Sequence, residues 1–154
     1  MHSGVLEILC VASQRTDADR VLNTGISLAL DKLVKEGKFY PFGVALTRKG
    51  DIAVLTAEDS GHRPNSDAFV GAIHDALADG ARSGSYKAAA IVADFAFEKP
   101  PNGGERDAIR VALESETGEA VTCYLPYTLV SPGGTRDVRP GQAFAQRSEP
   151  TIFG

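Results

Sequence analysis

The chain has 154 residues, 43% of them hydrophobic and 23% charged, the proportions of a globular domain with a real core. Its formal net charge of −4 and pI near 5.3 argue against the basic face by which nucleic-acid binders hold phosphate. No stretch approaches the ~18 consecutive apolar residues of a membrane-spanning helix.

The opening "MHSGVLEILCVAS" is apolar but lacks a basic start, Glu7 interrupts it, and no small-residue cleavage site follows. It reads as a helix over about 4–14, with Val5, Leu6, Leu9 and Ala12 at helical spacing, and not as a signal peptide. "QRTDAD" then starts a second helix at Thr16, with Asp17 and Asp19 in the turn that favours negative charge. Val21, Leu22, Gly25, Leu28, Ala29 and Leu33 form its apolar stripe, in which Gly25 admits a close neighbour. Gly37 is the expected stop.

After Gly37 the period changes from helical to alternating. "FYPFGVALT" and "IAVLTA" flank "RKGD", a hairpin signal in which Gly50 supplies the positive φ. A polar stretch, "EDSGHRPNS", ends at Ser66, the N-cap of a helix over about 67–82 lined by Phe69, Val70, Ile73, Leu77 and Ala81. "YKAAAIVADFAFE", residues 86–98, is nearly continuous in apolar residues. Gly84 before it and "KPPNGG" after it favour a strand buried on both faces over a helix. "DAIRVALE" alternates, with Ile109, Val111 and Leu113 on one face, and across "SETGE" Val121, Cys123 and Leu125 alternate again.

The expected fold is therefore α+β, in the order ααββαβββ. A two-layer, mostly antiparallel five-stranded sheet carries helices on one face. Residues 1–130 form a single domain. Residues 131–154 form an extended or partly disordered C-terminal tail, rich in glycine and proline, whose Phe144, Ile152 and Phe153 could anchor it to its own domain or to a second copy. The core order α-β-β-α-β-β-β resembles that of profilin-like and roadblock-like domains, a topological likeness that carries no function.

No stretch of sequence names a reaction. There is no GxSxG elbow, no P-loop, no GxGxxG after a strand, and no His/Cys/Asp/Glu set at metal-ligand spacing, so neither cofactor nor metal is expected. Cys10 and Cys123, with no CxxC pair, fit buried thiols of a reducing cytoplasm. Two features invite a functional reading. Phe39, Tyr40, Pro41 and Phe42 set a proline among aromatics, and so do Tyr124, Pro126 and Tyr127. They either bound two strands whose aromatics enter the core, or form an aromatic patch at a sheet edge for a peptide or second subunit. Strand order decides whether the two groups make one cluster or two borders. The second feature is polar. Asp94 interrupts an apolar strand, Asp107 opens the next, and His62 lies in the loop after the first hairpin. A buried carboxylate needs a partner, for which Lys87, Arg106 and Arg110 are available, or else it acquires a raised pKa suited to acid–base work.

"GKFYPFGVALTRKGDI", "AAAIVADFAF" and "DAIRVALESETGEAVTCYLPY" together resemble a set of small bacterial proteins that share a PF-x-x-x-L strand, a DAI-x-V-x-LE strand and a terminal PY. The likeness covers about residues 35–128. It implies a compact α+β domain and brings no activity and no catalytic residues. The expected function is a non-enzymatic cytoplasmic protein–protein interaction domain, working as a homo-oligomer or with a protein partner, without nucleic acid or membrane. The alternative is a small enzyme or small-molecule-binding domain using Asp94, Asp107 or His62.

Overall fold

The structure, a computed structural model, describes residues 12–56 and 66–154. The predicted helix over 4–14 lies mostly outside this range, and Cys10 and the loop bearing His62 lie wholly outside it.

Helix α1 (Ala12–Glu36) buries Ala18, Val21, Leu22, Ala29 and Leu33 along one stripe. It stops where expected: Gly37 takes φ +77° and its N–H donates to the Leu33 carbonyl at 2.9 Å. Strands β1 (Phe42–Thr47) and β2 (Ile52–Thr56) form the predicted hairpin, with Gly50 at φ +96° in the turn. Helix α2 (Ser66–Arg82) buries Phe69, Ile73 and Leu77, one per turn. Strands β3 (Tyr86–Ala96), β4 (Asp107–Ser115) and β5 (Ala120–Val130) then run as an antiparallel meander. The strand reading of 86–98 holds despite five alanines, because β3 is the central strand and small side chains let both faces close over it.

The α+β class and the antiparallel sheet agree with expectation, but the details differ. The described sheet has seven strands, in the order β2-β1-β3-β4-β5-β6, with β7 also on β5. The two extra strands come from the tail. β6 (Asp137–Pro140) pairs with Tyr127–Val130, and β7 (Phe144–Arg147) pairs with Val121–Tyr124. Both line the same side of β5, one after the other.

The helices lie on opposite faces of the sheet, not on one. Side chains of successive strand residues point to opposite sides. A Cβ at Gly43 would meet Ile73 and Leu77 of α2, while Val44 lies against Gly25 of α1. Two cores result. Under α1 lie Phe42, Val44, Leu46, Val92, Ile109, Val111, Val121 and Cys123. Under α2 lie Ala45, Ala89, Ile91 and, from the chain's end, Ile152. Each large aliphatic side chain withdrawn from water contributes roughly 1.5–3 kcal/mol, and the α1 core holds most of them.

Candidate functional site

The seven aromatic and proline residues singled out in the sequence do not form one surface. β1 and β5 are separated by β3 and β4, and each is paired on both sides, so they are neither neighbours nor edges. Phe39, Pro41, Phe42, Pro126 and Tyr127 are buried. Pro41 precedes β1, so strict alternation fails there. Phe39 joins Phe42 under α1, with ring centroids 5.9 Å apart, while Tyr40 turns to Phe69 of α2 at 5.8 Å. Pro126 marks the place where the partner of β5 changes from β7 to β6. Its carbonyl accepts from Gly141 N–H at 2.7 Å. In a strand the N–H and C=O of one residue point the same way, so the donor that proline lacks falls at this break in the ladder.

Asp94 and Asp107 lie near each other on the α1 side of the sheet. The Tyr127 hydroxyl donates to Asp94 Oδ1 at 2.7 Å, and Tyr127 stands opposite Asp107 in the β4–β5 register. The partner of Asp94 is thus a phenol and none of the cations considered. Arg110 points to the other face, and Lys87 reaches Asp17 of α1 at 3.6 Å. Asp94 is exposed as a residue, but partial burial of its carboxyl raises its pKa, as does the charge of Asp107, while the bond from Tyr127 pulls it back. Burial pushes the Tyr127 phenol upward too, and its bond to Asp94 adds to this. Such a phenol keeps its proton and holds a carboxylate in place. Among the described residues no third His, Cys, Asp or Glu completes a metal site. Burial also pushes the Cys123 thiol up to about 12, so it is an inert core group.

On the opposite face the arrangement is different. α2 packs on β2, β1 and β3. Over β4 and β5 this face carries instead a row of aromatic rings: Phe95 and Phe97 from the end of β3, Tyr124 from β5 and Phe144 from β7. Tyr124 stacks on Phe144 at 5.0 Å, Phe95 meets Tyr124 at 5.5 Å and Phe97 at 5.2 Å, and Phe97 reaches Phe144 at 6.0 Å. All four are only half-buried. The Arg110 guanidinium lies over the Phe95 ring, 5.0 Å from its centroid. Between these rings and α2 runs a groove of about 180 Å³ lined by Val70, Ile91, Arg110, Ala112, Thr122 and Tyr124. A second hollow of about 360 Å³ lies beyond Phe144, against Pro126 and Glu105.

The other end of this face is closed by the tail. Glu114 is buried, and its Oε1 accepts three successive backbone N–H groups, from Thr151, Ile152 and Phe153, at 2.9, 2.8 and 3.1 Å. Oε2 accepts from the Thr151 hydroxyl at 3.2 Å. These bonds replace the hydration that a buried carboxylate loses, and they seat Ile152 against Phe69, Ile73 and Ile91.

Of the half-exposed ring cluster, the sequence singles out Tyr124 as part of a contact patch and Phe144 as an anchor for the tail. Phe95 and Phe97 carried a signal, aromatics two apart on one strand. Phe144 stood out only as an isolated apolar residue, and the tail's lack of period gave no sign that it would join these rings. Glu114 appeared only as the far face of an alternating strand.

Fold and site together define an α+β domain with an antiparallel sheet, packed by a helix on one face and left partly open, with aromatic rings, on the other. No family model, no curated protein and no solved structure matches the chain.

Proposed function

We propose that this chain is a protein-interaction domain whose contact surface is the half-face bearing Phe95, Phe97, Tyr124 and Phe144. One observation carries the reading: four half-exposed rings in mutual contact, over β5, β7 and the far end of β3, where α2, which packs on β1, β2 and the rest of β3, leaves the sheet face open. Contiguous exposed aromatic area costs solubility and marks surfaces that are covered in use. The raised pKa of Asp94 would suit acid–base work, but its carboxylate is engaged by the Tyr127 hydroxyl and lines neither of the two hollows, so the polar group supports catalysis less.

A photo-crosslinking residue placed at Tyr124, with Lys35 on the outside of α1 as control, tests this in cells that produce the protein. The expected result is one or a few discrete adducts from position 124 and none from position 35. An adduct of twice 16.2 kDa identifies a second copy, and light scattering of the pure protein must then report a dimer. No discrete adduct, or equal adducts from both positions, overturns the proposal.

A further inference from the structure

Within that contact surface, which this inference takes as given, one side chain states a chemical preference. Arg110 sits between Phe95, Tyr124 and the groove floor, half-buried, and its only described partner is the face of the Phe95 ring. Stacking engages the flat face of a guanidinium and leaves its five N–H donors without use. Among the described residues no carboxylate meets them. Glu114, which shares its strand face two pairs along β4, is fully occupied by residues 151–153. A half-desolvated guanidinium with idle donors is an acceptor site in waiting, and a carboxylate is the acceptor that matches its fork.

We infer that the groove takes an acidic residue of a partner polypeptide, an Asp or Glu flanked by apolar side chains. Its carboxylate meets Arg110 and Thr122, and one neighbouring side chain lies in the groove. The volume sets the size of that neighbour. About 180 Å³ exceeds the ~150 Å³ cavity that holds a benzene molecule, so a Leu, Ile or Phe side chain fits and two do not. Tyr124, Phe144 and Phe97 then cover the next apolar residue, an area a small free acid would leave wet. The net charge of −4 does not forbid an acidic ligand, because exposed charges farther off than about 8–10 Å are largely screened at physiological salt. A second copy docked face to face about a twofold axis is disfavoured for the same reason that an acid is favoured. Such an axis through the groove would bring one Arg110 against the other.

Selection of a displayed random heptapeptide library on the wild-type protein and, in parallel, on Arg110→Gln is the test. Wild-type protein should enrich peptides with Asp or Glu beside Leu, Ile or Phe, and Arg110→Gln should lose the acidic preference while still selecting apolar residues. By calorimetry the best peptide should bind about tenfold more tightly than its Asn or Gln counterpart, the range of one charge-assisted bond. That ratio should fall toward one in Arg110→Gln and recover in part in Arg110→Lys. Thermal melts confirm that both variants fold, and Arg110→Lys keeps the test alive if the glutamine variant does not. Selected peptides without acidic enrichment, an enrichment unchanged by Arg110→Gln, or no selected peptide at all would each overturn the inference. Apolar peptides that bind wild-type and Arg110→Gln equally, and are lost on Tyr124→Ser, would sink it while leaving the contact surface itself intact. Self-association lost on Tyr124→Ser but untouched by Arg110→Gln would replace the acidic partner with a second copy.

Discussion

The two faces of one sheet are finished in different ways. On the α1 face a 25-residue helix lies across β1, β3 and β4, and Val21, Leu33, Phe42, Val44, Ile109 and Val111 meet in a core that excludes water. On the α2 face the shorter helix covers three strands, a loop pinned by Glu114 covers one end, and a ring cluster with Arg110 is left half-open. The same strands serve both, through alternate residues. A change of one position along β5, or from Asp94 to Phe95 at the end of β3, therefore moves between the two faces, while the middle of β3 is buried on both.

The largest expected effects fall on the covered face. Phe42→Ala should cost about 3–5 kcal/mol in urea denaturation, the range for an aromatic removed from a packed core, while Tyr124→Ala should cost well under half as much. Equal losses would erase the distinction between the faces. Next comes the pinned loop. Glu114→Ala should cost about 2–3 kcal/mol, since three backbone N–H groups lose their acceptor together. Hydrogen exchange at residues 151–153 should rise to near that of free peptide, whereas Glu114→Gln, which keeps an acceptor, should lose less. Unchanged protection in Glu114→Ala would show that packing of Ile152 alone seats the loop.

Gly25→Ala probes how closely α1 approaches the sheet. The new Cβ would stand 2.8 Å from Val92 Cγ2. Overpacking of about 1–3 kcal/mol, less about 1 kcal/mol of gained helix propensity, leaves a net loss of about 0–2 kcal/mol. A stabilised variant would mean that α1 can shift, and the covered face would be softer than described.

The smallest effect belongs to Asp94. Its folded carboxyl binds a proton more tightly than an unfolded one, so stability falls as pH rises from the ordinary 3.8 through the raised folded value and is flat above it. Asp94→Asn keeps an oxygen for the Tyr127 hydroxyl and removes the charge. It should raise the melting temperature at neutral pH by roughly 1–2 °C and remove this part of the pH slope. A lower melting temperature at pH 7 would show that the carboxylate is worth more ionised than neutral.

The hairpins and the stop of α1 at Gly37 were legible because each rests on local chemistry, whereas the helix start read at Thr16 does not exist: α1 runs unbroken from Ala12 to Glu36. Gly37 and Gly50 take the backbone conformations their positions demand, and Ile109, Val111 and Leu113 face one way because strands alternate. Strand order and helix placement were not legible, because they depend on which distant segments meet. Nothing near Phe69 or Val21 says that their helices take opposite sides of one sheet. That the tail adds two strands to the sheet was hidden for a related reason. Its two short strands have four residues each, too few to show a period, and they are held by β5 and not by their own composition. At the site, Asp94 drew attention because a carboxylate in an apolar run is conspicuous, yet the carboxylate with the most demanding partners is Glu114, at the polar end of an ordinary strand.

Glu114 also sets an order of events during synthesis. The amide groups that neutralise its burial follow it by 37 to 39 residues, so at ~5–20 residues per second they are synthesised roughly 2–8 s later. Through that interval β4 cannot bury its last turnings without stranding a charge, and the carboxylate stays in water. The nascent sheet thus keeps one corner soluble until the segment that closes it has been made, and a chain cut short before Thr151 would carry that open corner for good.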